Sequence, residues 1–343
     1  MSVKAFICGC AGPRLSDDEK AFVAGEQPFG LILFQRNCRE PSELRDLTAA
    51  FRDAVGRADA PVLIDQEGGR VQRLKPPHWP SYVAAEIIGR ADAVDPEAGT
   101  RLAWLHGRLM AADLLELGID VDCAPTLDVM VAGMTKAIGD RSFGGDPQCV
   151  TRLGRALANG LLDGGVLPVI KHLPGHGRAT TDSHLDLPVV EADLDTLAAS
   201  DFVPFAALAD LPGAMTAHIV YTAIDPERPA TLSPTVIRDI IRGRIGFEGL
   251  LFSDDVSMSA LSGDYGHRTR AIHDAGCDLV LHCNGRTEEM RAVADAAPEL
   301  SGFSGERAAR FLQERREPEP FERERAREEY CARLADLTGA TVS

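Results

Sequence analysis

Eight short apolar runs, spaced so that a helix fits between most neighbours, constrain this chain more than any other feature. They lie at residues 6–10 (FICGC), 30–34 (GLILF), 61–65 (PVLID), 119–125 (IDVDCAP), 167–172 (LPVIKH), 214–218 (AMTAH), 250–254 (LLFSD) and 278–283 (DLVLHC). Most lack the apolar–polar alternation of a strand with one wet face, which fits parallel strands buried on both sides. Between them, residues 101–117 place Leu102, Leu105, Leu109 and Ala112 at helical spacing. Residues 233–246 open with Ser233 as N-cap and Pro234 in the first turn, and Val236, Ile237, Ile240 and Ile241 then form one apolar stripe. Strand and helix alternate without a Pro/Gly/Ser linker. The pattern predicts an α/β chain whose residues 1–300 form a single (β/α)8 TIM barrel. A doubly wound open sheet is the alternative. No G-x-G-x-x-G opens a helix and no Walker-type loop is present, so a nucleotide site has no support. Residues 301–343 read as a charged C-terminal tail appended to the barrel, and 313–334 as a solvated surface helix interrupted by Pro318 and Pro320.

Composition narrows the partners. The 343 residues are 45% hydrophobic and 26% charged, a globular balance, and 36 basic against 52 acidic residues leave a net charge of −16. Such a chain gains nothing from phosphate backbones, so nucleic acid is not an expected partner. No run approaches the ~20 apolar residues of a membrane span. Residues 7–10 faintly resemble a lipoprotein cleavage box, but the apolar stretch is short and reads as a first strand. Eight cysteines without a C-x-x-C pair read as reduced thiols of a cytoplasmic protein.

The polar residues collect where the runs end, which in a barrel is the active-site face. Such endings are IDQEGGRVQR (64–73), Lys171-His172, His218, Ser253-Asp254-Asp255, and His282 with Asn284. The densest stretch is KHLPGHGRATTDSHLDLP (171–188). His172 and His176 are four apart, the spacing of a zinc helix, but Pro174 and Gly175 break any helix there, so no metal is expected. Asp182 stands two residues before His184, close enough in a turn to share a hydrogen bond, and a carboxylate so placed fixes the imidazole tautomer. A histidine titrating near about 6.5 suits a group that gives a proton and later takes it back. Asp65, Arg73, Arg141, Lys171 and His172 make a mixed acid–base rim able to accept from and donate to sugar hydroxyls. Glu67 and Asp128 are read as structural pairing partners. Asp254 and Asp255 are adjacent, so on a regular strand only one faces the barrel mouth.

Together these residues resemble the β-N-acetylglucosaminidases of glycoside hydrolase family 3. The motifs carrying the likeness are IDQEGGRVQRL (64–74), GDRSFGGDP (139–147), KHLPGHGRATTDSHLDLP (171–188) and FSDDVSM (252–258), in the family's order; Leu173 stands where relatives usually carry Phe. The resemblance implies a retaining mechanism with Asp254 as nucleophile and His184 as acid/base, partnered by Asp182. It implies that Asp65, Arg73, Arg141, Lys171 and His172 hold the N-acetylglucosamine ring, without metal or other cofactor, in a cytoplasmic monomer. The substrate it implies is a small carbohydrate, N-acetylglucosamine-bearing anhydro-muropeptides of cell-wall recycling. A β-N-acetylglucosaminide phosphorylase, a metal-dependent barrel hydrolase and a catalytically silent sugar-binding protein are the rivals.

Overall fold

The computed structural model describes residues 2–131, 133, 136–181 and 186–341. Eight parallel strands close into a barrel in chain order: β1 (Lys4–Cys8), β2 (Pro28–Leu33), β3 (Val62–Ile64), β4 (Val121–Asp122), β5 (Leu167–Leu173), β7 (Gly213–Thr216), β9 (Leu250–Asp255) and β10 (Leu279–His282). Each coincides with one of the eight apolar runs. β1 closes the ring by pairing with both β2 and β10, Cys8 lying beside Leu31 and His282. β6 (Val189–Val190) and β8 (Val220–Tyr221) form a separate parallel pair. The barrel strands are buried almost throughout, which is why they read as unbroken apolar runs.

Helices return the chain between strands, and their starts are chemically marked. Pro96–Leu115 and Pro147–Asp163 each begin with proline after an aspartate, Asp95 or Asp146, whose carboxylate accepts the first free amides. Ser233 caps its helix as the sequence predicts, its hydroxyl accepting from the Val236 amide at 3.1 Å. The helix that follows, Val236–Arg244, has π rather than α geometry, yet Val236, Ile237, Ile240 and Ile241 are all buried.

The end of the chain departs from its reading as a solvated helix. Helix Gly302–Gln313 turns Phe311 onto Phe252 and Phe29, with ring centroids 5.5 and 6.5 Å apart. Pro318 and Pro320 lie in the connection, and a second helix runs from Arg323 to Thr338. Its Ala326, Tyr330 and Leu334 are buried against the barrel's outer helices. These three residues are four apart, a narrow apolar stripe that dense flanking charge conceals.

Candidate active site

Asp65, Arg73, Arg141, Lys171, His172 and Asp254 line one cavity of 330 Å³ at the C-terminal ends of the strands. A wider open groove of 780 Å³ lies between helices Pro96–Leu115 and Pro147–Asp163, but it gathers no comparable set of converging charges.

The cavity's polar wall is an ion network. Lys171 is 1% exposed, yet its Nζ lies 2.7 Å from both Asp65 Oδ1 and Glu67 Oε1. Arg73 donates to Asp65 Oδ2 at 3.1 Å. Arg141 grips Glu67 with Nε and Nη2, both at 2.8 Å, and Thr126 donates to the same carboxylate at 3.2 Å. Burial alone raises the carboxyl pKa of Glu67, but Arg141 and Lys171 outweigh it and hold the group at about 2. Burial likewise opposes the charge of Asp65, and Lys171 and Arg73 override it, holding Asp65 well below the usual carboxylate range. Burial disfavours the Lys171 ammonium, and Asp65 and Glu67 reverse that and raise its pKa. The wall is therefore fully charged, with its donors already aimed.

Asp128 organises the neighbouring segment. It is fully buried and accepts His172 Nδ1–H at 2.8 Å, while its other oxygen takes the amides of His172 and His176 at 3.3 and 2.6 Å. Arg141 Nη2 stands 3.4 Å from His172 Nε2, and a guanidinium only donates, so Nε2 accepts and Nδ1 carries the proton. Glu67 and Asp128 thus have the pairing expected of them. The His176 ring packs against His172 with 5.7 Å between centroids, outside the cavity. Asp182 and His184 lie outside the described residues.

At the end of β9 the outcome differs from the simple alternation. Both Asp254 and Asp255 reach the cavity wall. Leu279 pairs with Phe252 but Leu281 with Asp255, so β9 carries one extra residue here and its facing rule breaks. The two carboxylates are used differently. Asp255 accepts the Ser257 amide and hydroxyl at 3.0 and 2.5 Å and the Cys283 amide at 3.1 Å. Asp254, half-buried, accepts the Asp255 amide at 2.8 Å.

Several contributors escape a reading by charged motifs. Phe34 at the end of β2 lines the cavity, with the Arg73 guanidinium 5.2 Å from its ring centroid. Met215, Met258 and Cys283 supply further wall. Arg70 donates to the carbonyls of Lys136, Ala137 and Ile138 and so staples the turn that presents Arg141. His218 and His282 end strands yet lie outside the cavity. His218 is buried beneath β9, where its Nε2–H donates to the Asp255 carbonyl at 3.0 Å. His282 faces Glu289 at 3.3 Å. Among the described residues, no group of three or more His, Cys, Asp or Glu is arranged to hold a metal ion.

A parallel barrel with a charged cavity at its C-terminal mouth is the architecture of a barrel enzyme, and known proteins give its class. The model of the glycosyl hydrolase family 3 N-terminal domain matches residues 2–308. A beta-hexosaminidase of Alkalilimnicola ehrlichii is 40% identical over 315 residues, 91% of this chain and 89% of the relative. The crystal structure of NagZ from Neisseria gonorrhoeae in complex with N-trifluoroacetyl-D-glucosamine is similar at a TM-score of 0.85 and 32% identity, covering 99% of this chain and 98% of that one. A structure of NagZ from the same organism in complex with zinc ion gives 0.84 and 31%, with the same coverage. The chain belongs to glycosyl hydrolase family 3. Within that class its activity is that of a beta-N-acetylhexosaminidase.

Proposed function

We propose that the protein is an exo-acting, retaining β-N-acetylglucosaminidase that removes terminal N-acetylglucosamine from cell-wall muropeptide fragments of the anhydro-N-acetylmuramic type, in the cytoplasm. The observation carrying this reading is the convergence of Asp65, Arg73, Arg141, Lys171 and His172 with Asp254 around one cavity. The N-trifluoroacetyl-D-glucosamine bound by the neisserial relative supports the sugar class.

In this reading Asp65 accepts from ring hydroxyls while Arg73, Arg141 and Lys171 donate to them, with His172 set at their edge by Asp128. The Asp254 carboxylate attacks C1; the glycosidic C1–O bond breaks and the leaving oxygen takes a proton from His184. His184 then takes a proton from water, whose oxygen attacks C1 and displaces Asp254, restoring the starting anomer. Asp182 holds the His184 tautomer throughout. Asp255 supports the turn beside the nucleophile.

Product analysis on p-nitrophenyl N-acetyl-β-glucosaminide, with and without phosphate, tests the reading. Free β-anomeric sugar under both conditions is expected. Sugar 1-phosphate overturns it in favour of a phosphorylase, and an inverted product overturns the covalent step. Since a relative binds zinc, chelation is the second arm. Prolonged chelator treatment should leave activity intact; loss restored by zinc or manganese identifies a metal-dependent hydrolase instead.

A further inference from the structure

The C-terminal helix Arg323–Thr338 reaches the polar wall through a buried chain of hydrogen bonds. Tyr330 and His106 are both 0% exposed, and the tyrosine oxygen lies 2.8 Å from His106 Nδ1. His106 Nε2 in turn lies 3.0 Å from the backbone carbonyl of Glu67. A carbonyl only accepts, so Nε2 carries the proton. In a neutral ring Nδ1 must then accept, and the Tyr330 hydroxyl donates to it. Burial lowers the His106 pKa to about 4, so the ring stays neutral at ordinary pH. Every proton in the chain is thereby assigned.

A second thread runs parallel. Arg327 donates to the Tyr82 hydroxyl at 2.7 Å, and the Tyr82 carbonyl accepts the Gly69 amide at 2.9 Å. The turn they hold is tight. Gly68 and Gly69 have φ of +99° and +57°, and a Cβ on Gly68 would meet the Val83 carbonyl at 2.2 Å and the His106 ring at 3.0 Å. The helix therefore fixes the backbone at residues 67 and 69, and the Glu67 side chain fixes Arg141 and Lys171.

We propose that the C-terminal helix positions the sugar clamp, with Tyr330 and His106 as positioning residues that set Arg141 and Lys171 through Glu67. This rests on the reading that Arg141 and Lys171 hold the sugar. Their effect belongs to binding rather than to the covalent step, because Asp254 stands on β9, where its carboxylate accepts the Asp255 amide, and the Tyr330–His106–Glu67 chain does not run through that strand.

The test uses the full chain and N-acetylglucosamine itself. Tyr330→Phe keeps the ring and removes one hydroxyl. It should weaken calorimetric sugar affinity about three- to tenfold, the range of one buried hydrogen bond, and raise KM alike with kcat nearly unchanged. In an Arg141→Ala background the same substitution should lower Tm as before but change affinity less, leaving only the part carried by Lys171. His106→Gln, whose amide nitrogen reaches the ring Nε2 position, should keep the affinity that His106→Leu loses, which preserves the test if Tyr330→Phe folds poorly. Parental affinity in Tyr330→Phe and His106→Leu, with only Tm reduced, overturns the proposal; so does an equal affinity loss with and without Arg141. If Arg141→Ala alone binds the sugar as the parent does, the reading of the clamp fails first and takes this inference with it.

Discussion

Glu67 is 8% exposed and spends both oxygens on Arg141, one of them also on Lys171 and the other on Thr126. Its neutralisation leaves two buried cations short of a partner, and breaking such a pair costs roughly 3–5 kcal/mol where the desolvated charges cannot relax. Glu67→Gln should therefore lower the urea midpoint strongly and abolish measurable sugar binding; a midpoint within error of the parent would mean that water replaces the carboxylate. Asp254 offers the contrasting case at the same scale. It stands half-buried on β9, and its carboxylate accepts the neighbouring Asp255 amide. Asp254→Asn should lower turnover by on the order of 10⁴-fold or more while N-acetylglucosamine still binds. In the parent, a slow fluorinated glycosyl substrate should label Asp254; peptide mapping that finds the label on Asp255 reverses the assignment.

Among the elements, β9 and the helix Gly302–Gln313 share an anchor. Phe311 is 1% exposed and meets Phe252 of β9, while a Cβ on Gly213 at the start of β7 would lie 2.8 Å from the Phe311 ring. The helix thus fills the end of the barrel opposite the cavity. Phe311→Ala should cost about 3–5 kcal/mol, the range for emptying a buried aromatic site, yet leave KM close to parental because the polar wall lies at the other end. A variant of parental stability would show that the helix leans on the barrel without sealing it. The extra residue in β9 acts at the other end of the strand, where it brings Asp254 and Asp255 to the same cavity and leaves Asp255 bonded to the turn and to β10.

For the whole molecule, acid should be the sensitive direction. Burial lowers the pKa of His106 and of His176 from 6.5 to about 4. The unfolded chain therefore takes up protons near pH 6.5 that the folded chain refuses until about pH 4. The stability from keeping these rings neutral is complete above about 6.5, is lost as pH falls towards about 4, and falls no further below it. Glu67 extends the loss, since its folded pKa of about 2 lies below the ordinary 4.5, so its contribution declines as pH drops from about 4.5 towards 2. Urea midpoints should be flat between about pH 7 and 8 and drop between about 6.5 and 4, less steeply in His106→Gln. A midpoint unchanged between about pH 7.5 and 5 would contradict the buried neutral rings.

The eight barrel strands, the caps at Ser233 and the clustering of charge at strand ends were legible along the chain, because burial on both faces and helix capping are written in local residue order. The rim of Asp65, Arg73, Arg141, Lys171 and His172 was legible as chemistry too, since few structural loops need so many donors and acceptors after apolar runs. Three things required the tertiary structure. The facing of Asp254 and Asp255 depends on a register shift against β10, a property of two strands. The stripe of Ala326, Tyr330 and Leu334 is hidden among charges that pair elsewhere, as Arg327 does with Tyr82 and Arg101 with Glu329. The link from Tyr330 to Glu67 ends on a backbone carbonyl, and every residue has one. Side-chain type is local information, but which donor finds which carbonyl across 224 and then 39 residues of sequence is decided only by packing.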